Sequence, residues 1–239
     1  MPSDASSFDH RAYLSEWMDE PCTYEEFRAC LLDLMQVNRL LFAYRPTLHW
    51  LEQFASGSRE PLHIVDVGSG AGDMLRRIEA WARSRGVAVR LTGIDLNPFA
   101  GRAAREFTAA ASSIEWITGE AFQYQPPDGI HLIISSLFTH HLTDAEIVRF
   151  LQWMERTAAR GWFINDLRRS ARSYRLFKLL ARGMRWHRFV QHDGPISVQR
   201  SFLPADWLTY AQNAGLNQAD LRIEDARPGR LCVGRVKGQ

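Results

Sequence analysis

Residues Asp66 to Gly72 read DVGSGAG, after an apolar run (HIVDV) and before a stretch with helical spacing. A glycine-rich turn between strand and helix lets the backbone approach a ligand that any Cβ would hold off. Three kinds of ligand use such turns, and the neighbouring residues separate them. An ATP-binding loop needs Gly-Lys-Ser/Thr, and none follows. A dinucleotide fingerprint needs G-x-G-x-x-G, whereas Gly68, Gly70 and Gly72 bring the third glycine one residue early. Asp66 places a carboxylate two residues before the first glycine, which is unfavourable beside pyrophosphate and favourable beside an ammonium group. Asp95 ends the next strand-like run, LTGIDL, where a carboxylate can accept both hydroxyls of a ribose. Together these residues describe a nucleoside with a cationic amino-acid tail and no phosphate.

Groups able to move a proton fall in three places. His140 and His141 follow the run IHLIISS and emerge above the C-terminal edge of the sheet, where open α/β folds bind ligands. Either could deprotonate an acceptor that arrives protonated, with His140 ahead; packing is the competing role. His192, followed by Asp193 and Gly194, reads as a charged turn, either facing an acceptor or exposed with Asp193 as a local cap. Asn165 and Asp166 end the run GWFIND, but no further carboxylate partner stands out, so no metal is expected.

These residues need a frame, and the rest of the chain supplies its pattern. Short apolar runs (HIVDV, LTGIDL, IEWIT, IHLIISS, GWFIND) alternate with helical stretches. In one of these Leu75, Ile78, Trp81 and Ala82 share a face, and Gly86 follows as a C-cap would. Thr143 with Glu146 marks the start of another helix by a capping box. The alternation predicts an α/β, Rossmann-like, doubly wound, mostly parallel sheet. A C-terminal antiparallel strand is expected from the pair near LRIED and RLCVGRV, after a helix from Pro204 to Asn213. Residues 1–56 read as an N-terminal helical cap, and residues 57–239 as the main domain. A helical lid insertion at 167–203 interrupts that domain, too long for a plain connection.

Composition sets the bounds. The 239 residues are 46% hydrophobic and 23% charged with a net charge of +2, so bulk charge demands neither nucleic acid nor membrane. Three cysteines without metal-ligand spacing fit a reducing, cytoplasmic setting. The opening MPSDASSFDH lacks the basic and apolar regions of a signal peptide, and no apolar run is long enough to span a bilayer.

Four motifs in order carry a family resemblance. DVGSGAG (Asp66–Gly72), GIDLNP (Gly93–Pro98), TGEAF (Thr118–Phe122) and SSLFTHHLTDAE (Ser135–Glu146) resemble class I S-adenosylmethionine-dependent methyltransferases, in the small-molecule and quinone-biosynthesis branch. The resemblance implies S-adenosylmethionine as cofactor and methyl transfer as the activity. It implies that Gly68, Ser69, Gly70 and Gly72 form the close backbone approach, and that Asp66 helps hold the methionine ammonium. Asp95 would take the ribose hydroxyls, and Leu96 would pack on the adenine. Glu120, in place of the usual aspartate, would accept from the adenine amino group beside Ala121 and Phe122. Ser135 would lie near the sulfonium. Tyr44 or Arg39 is a further candidate for the methionine carboxylate or the acceptor.

Residues 167–192 hold many arginines and no acid, with Tyr174, Phe177, Leu180 and Met184 on an apolar stripe. Three readings stay open: a solvated helix, a lid over a hydrophobic acceptor with peripheral membrane contact, or an RNA-binding face. No Asn/Asp-Pro-Pro-Tyr/Phe stretch follows the fourth strand, and no RNA-binding module is appended. A small aromatic or lipid-like acceptor, methylated at oxygen, is therefore favoured over nucleic acid. A cofactor-binding scaffold without catalysis remains the rival of a different class.

Overall fold

The computed structural model describes residues 8–55 and 60–238. The boundary expected at 56/57 and most of the N-terminal stretch read for a signal peptide lie outside those residues. Seven strands form one sheet: β1 (Leu62–Val67), β2 (Val89–Asp95), β3 (Glu115–Thr118), β4 (Ile130–Ser136), β5 (Ala158–Leu167), β6 (Arg222–Ala226) and β7 (Arg230–Val236). Their order is β3-β2-β1-β4-β5-β7-β6, with β1 to β5 parallel and β7 antiparallel to both its neighbours. This is the mixed, mostly parallel sheet that the alternating pattern predicts. Every residue of β1 is buried, as a central strand covered on both faces requires.

Among the described residues eight α-helices accompany the sheet: α1 (Tyr24–Leu40), α2 (Arg45–Leu51), α3 (Asp73–Arg85), α4 (Pro98–Phe107), α5 (Asp144–Thr157), α6 (Ala171–Gly183), α7 (Arg188–Arg200) and α8 (Pro204–Asn213). Alternation along the strands sorts their side chains. Val65, Val67, Ile133 and Ile164 face Phe150 and Met154 of α5 and Trp207 of α8. Ile64, Leu132, Ile134 and Phe163 face Trp50 of α2 and Leu75 and Ile78 of α3. Truncating a fully buried ring such as Phe150 to alanine would cost about 3–5 kcal/mol. Gly86 closes α3 in the left-handed region, and Thr143 and Glu146 cap α5 reciprocally.

Two local readings need correction. Strand β5 starts at Ala158, earlier than the run GWFIND suggests, because an irregularity opposite Ile130 and Leu132 absorbs an extra residue. His192, Asp193 and Gly194 are not a turn but lie inside α7. The buried Asp193 carboxylate accepts from the backbone N–H groups of Trp17 and Met18 (2.9 and 3.0 Å), which start a 3-10 turn, Trp17–Asp19. A Cβ at Gly194 would meet the Phe177 ring at 2.0 Å, so the glycine lets α6 and α7 pack closely.

Strand order reverses between β1 and β4, and the C-terminal ends of the strands open there into a crevice. The N-terminal segment and α7 cover that crevice. Arg11 donates to Asp144 Oδ1 (2.6 Å) and to the backbone oxygens of Leu142 and Arg200. Asn165, at the end of β5, donates to Ala43 O and Thr47 Oγ1 and so fixes α2 to the sheet.

Candidate active site

The covered crevice is a cavity of about 390 Å³ whose two ends differ in chemistry. At the β1–β2 end the backbone is the main actor. Gly68 N–H and Ser69 N–H donate to Ile94 O, and Gly70 N–H donates to Asp95 Oδ2 at 2.9 Å. Asp95 Oδ1 accepts from Asn97 N–H at 2.9 Å, so this carboxylate holds two loops in register. Burial pushes its pKa up against those hydrogen bonds and the charge of His141.

The glycines do different work. At Gly70 (φ +50°) nothing lies within 4 Å of a would-be Cβ, so the space in front is open cavity. At Gly72 (φ +72°) a Cβ would sit 2.1 Å from the Trp116 ring, so that glycine serves packing. Both need the left-handed region that glycine alone enters without strain. Asp66 is fully buried on the cavity wall, and its Oδ1 accepts no hydrogen bond. Burial, with the negative charges of Asp73 and Asp95 nearby, raises its pKa well above the carboxylate range. A carboxylate so placed calls for a cation. Open space before Gly70 and an unpartnered Asp66 fit a ligand with a nucleoside and an ammonium-bearing tail.

The other cofactor candidates separate. Ser69, Leu96, Glu120 and Ala121 line the cavity. Leu96 is 64% exposed, an apolar surface free to take a base. Ser135 does not reach the cavity: alternation turns it inward, where its Oγ donates to Val67 O at 2.9 Å. Its neighbour Ser136 lines the wall instead, with an unpartnered Oγ. Phe122 also lies off the wall, edge-on to Phe150 and Trp153, because the 3-10 turn Ala121–Gln123 rotates it onto α5. Tyr44 and Asn38 line the cavity and both donate to Asp73 Oδ2 (2.7 and 3.0 Å). Arg39 points to solvent.

Another part of the wall, around the loop after β4, gathers titratable groups. His140 is buried, and its Nδ1 lies 2.7 Å from Asp166 Oδ1. Asp166 also accepts from Thr139 Oγ1 (2.6 Å), His140 N–H (3.1 Å) and Leu167 N–H (2.7 Å). Burial opposes its charge, but His140 and these donors outweigh burial and hold the pKa well below the usual carboxylate value. An ionised carboxylate only accepts, so His140 Nδ1 carries the proton of that hydrogen bond, and Nε2 is the ring nitrogen outside it. Asp166, weighed from the sequence as a metal ligand, is thus engaged in orienting His140.

His141 lies next to it, the ring centroids 4.3 Å apart. Its Nδ1 is 3.4 Å from Asp19 Oδ1 and its Nε2 is 3.9 Å from Glu16 Oε2. Glu16 is buried, accepts from Ser197 Oγ (3.0 Å) and lies 3.6 Å from Arg200. Burial pushes its pKa up to about 7 against the pull of His141 and Arg200. Asp19, less buried, is held low by His141 and Arg200 despite desolvation. Arg200 also donates to the backbone oxygens of His140 and His141 (3.1 and 3.0 Å), clamping the loop after β4. Ligand atoms of Glu16, His140 and His141 fall within 4.8 Å of one another, so this trio could share a proton or a divalent cation.

His192 does not join this group. It is off the cavity wall, stacked on Trp17 at 3.8 Å with Nδ1 2.7 Å from Asp193 Oδ1. In its place the structure brings in Glu16, Asp19 and Arg200, which the sequence reading passed over. Glu16 and Asp19 stand in a segment without a motif, and Arg200 is one arginine among many. Phe27, Leu31, Leu34, Phe138, Phe177 and Val190 give the cavity apolar walls.

Fold and cavity define a class: a Rossmann-like domain with a cavity at the β1–β4 switch point, beside a glycine loop and two strand-end carboxylates. Residues 64–161 match the family model described as a methyltransferase domain. That stretch runs from β1 into β5 and takes in the glycine loop, Asp95 and His140. Trans-aconitate 2-methyltransferase of Streptomyces avermitilis is 26% identical over 171 residues, 67% of this chain and 61% of that protein. The non-reducing polyketide synthase esdpA of Penicillium shearii is 25% identical over 181 residues, which is 66% of this chain but 8% of that protein. The chain therefore spans less than two thirds of either curated relative. Among solved structures, human N-acetylserotonin methyltransferase in complex with SAM superposes with a TM-score of 0.62 at 16% identity, covering 91% of this chain and 57% of that one. The plantazolicin methyltransferase BpumL in complex with SAH superposes with a TM-score of 0.61 at 15% identity, covering 90% and 96%. At these identities the likeness is one of fold.

Proposed function

We propose that this chain transfers a methyl group from S-adenosylmethionine to a small hydrophobic or aromatic acceptor, at an oxygen that arrives protonated. One observation supports this above others: the glycine loop with Asp66 and Asp95 lines one apolar-walled cavity together with His140, whose ring is held by Asp166. Asp66, Gly68, Ser69, Gly70, Asp95, Leu96, Glu120 and Ala121 are the residues that would hold the cofactor, which supplies, when bound, an electrophilic methyl on a sulfonium. Each Asp95 oxygen accepts one backbone N–H and has a lone pair left that would accept from a ribose hydroxyl. His140 Nε2 accepts the acceptor's proton while Asp166 keeps the ring in that tautomer and stabilises the resulting charge. His141, with Glu16 and Asp19, lies beside that proton and can relay it outward. Phe138, Phe177 and Val190 exclude water and orient a ring or acyl chain.

In this reading α6, α7 and the strap through Glu16 are the lid, and residues 8–55 supply the rest of the cover. Leu176, Leu179 and Met184 of the lid region are exposed among arginines. That pairing of basic and apolar groups favours peripheral contact with an anionic lipid surface, from which a hydrophobic acceptor can enter. No helix among the described residues is long and apolar enough to cross a membrane. The three cysteines are free thiols, as suits the cytoplasm.

The test is a screen of phenols, hydroquinones and long-chain resorcinols with S-adenosylmethionine, read as S-adenosylhomocysteine released. The proposal expects turnover with a phenolic acceptor and about 10²–10⁴-fold less in His140→Gln. Turnover only with RNA or with a carboxylic acid would contradict it.

A further inference from the structure

Arg230 begins β7, outside residues 64–161 and outside every motif the sequence offers. It is 3% exposed and lines the cavity. No hydrogen bond or ion pair holds its guanidinium among the described residues, and its Nη1 is buried without a partner. Other buried arginines here are tied down: Arg169 reaches Ser201 O, Asp206 and two further carbonyls, and Arg200 reaches four oxygens. A buried cation with no counter-charge is costly, so a guanidinium left in this state marks a place for an anion.

The surroundings say which anion. Register pairs Arg230 with Leu167, two residues beyond the Asn165–Cys232 pair. Arg230 therefore shares a sheet face with Cys232, and so with Ile64 and Ile134, whose strands carry Asp66 and Ser136 onto the same face. Along the C-terminal edge run Asp66 of β1, Ser136 of β4 and Arg230 of β7, and each has a buried polar atom without a partner. Asn38 Oδ1, on α1 above them, is unpartnered too. Six buried side-chain atoms among the described residues lack partners, and these four line one cavity. A carboxylate, a hydroxyl and an amide oxygen suit an ammonium; a guanidinium and a hydroxyl suit a carboxylate. Asp73 and Asp166 act on Arg230 through space, but neither contacts it. Asp73 already accepts from Tyr44 and Asn38, and Asp166 from His140.

We propose that Arg230 is a carboxylate-binding residue which, with Asp66 at the other end of the row, receives the zwitterionic amino-acid end of the cofactor. The inference rests on S-adenosylmethionine being that cofactor, and assigns a positioning residue that no motif contains. Fixing both ends of the amino acid sets where the sulfonium lies relative to His140.

The test uses the full chain and three ligands: S-adenosylhomocysteine, its decarboxylated analogue and 5′-methylthioadenosine, which lacks the amino-acid end. Calorimetric titration compares the wild type with Arg230→Met and Arg230→Lys. The wild type should prefer S-adenosylhomocysteine over the decarboxylated analogue by about 30-fold, the range of a charge-assisted pair. Arg230→Met should erase that preference while binding the decarboxylated analogue and methylthioadenosine within about twofold of wild type, and Arg230→Lys should recover part of it. Unchanged methylthioadenosine binding also reports that the variant is folded. Equal weakening of all three ligands overturns the assignment. Unchanged S-adenosylhomocysteine binding in Arg230→Met overturns it as well, and is the result expected if the guanidinium served an acceptor carboxylate. Wild type that binds none of the three contradicts the cofactor reading, and this inference falls with it. Wild type that binds all three alike contradicts this inference alone.

Discussion

The two ends of the cavity solve opposite problems. At the β1–β2 end the loop itself is built from backbone amides and two strand-end carboxylates within residues 66–97, with Asn38, Ser136 and Arg230 adding polar side chains around it. At the histidine end the groups come from four separate stretches: Glu16 and Asp19, His140 and His141, Asp166, and Arg200. The first end is shaped by conformation, because positive-φ glycines hold the loop open and Gly70 leaves its front bare. The second is shaped by charge, with every ionisable side chain tied to another. A conformational site keeps its shape from its own loop. A charge-shaped site needs the whole cover in place, since removing the N-terminal strap takes away Glu16 and Asp19 together.

The largest effect expected is at the charged end. If His140 is the base proposed above, His140→Gln should lower turnover about 10²–10⁴-fold and leave S-adenosylhomocysteine affinity within about twofold. Loss of cofactor binding in that variant would blur the division between the ends. At the conformational end, Gly70→Val should weaken S-adenosylhomocysteine about 100-fold or more, filling the space that nothing else occupies. By contrast Gly72→Ala should lower thermal stability first, since its Cβ meets Trp116. Calorimetry and a thermal melt of both variants separate the two roles.

A smaller effect concerns pH. The Glu16 carboxyl is raised to about 7, so the folded state keeps a proton that the unfolded chain releases near 4.5. Its contribution to stability is complete below about pH 4.5 and is lost as pH rises through 7, amounting to about 3 kcal/mol at most. Glu16→Gln should therefore melt roughly 5–10 °C higher relative to wild type at pH 8 than at pH 5. A difference independent of pH would mean that the strap carries no such charge. The smallest effect lies on the outer surface: Leu176→Asp with Leu179→Asp should reduce co-sedimentation with anionic vesicles several-fold without changing turnover of a soluble phenol.

The contrast between the ends also explains what the sequence could reveal. DVGSGAG and GIDL carry their geometry locally, so Gly70, Asp66 and Asp95 were legible at their own positions, and the β–α alternation fixed the sheet around them. Ser135 and Ser136 were harder, because which of two adjacent residues faces a cavity depends on strand register. His140 was legible as a histidine above a strand, but its partner was not: Asp166 meets it only because β4 and β5 are neighbours. His192 misled because HDG looks like a turn, whereas Asp193 is consumed by the Trp17–Asp19 turn far away in the chain. Arg200 and Arg230 were invisible among 29 basic residues, and only burial distinguishes them.

The most direct test of the central claim is calorimetric titration of the full chain with S-adenosylhomocysteine and, separately, NAD, repeated on Asp95→Ala. Micromolar binding of S-adenosylhomocysteine that weakens sharply in the variant, with no heat from NAD, is the predicted result. Binding of NAD and none of S-adenosylhomocysteine would contradict the account and return the Gly68–Gly72 loop to the dinucleotide-binding class.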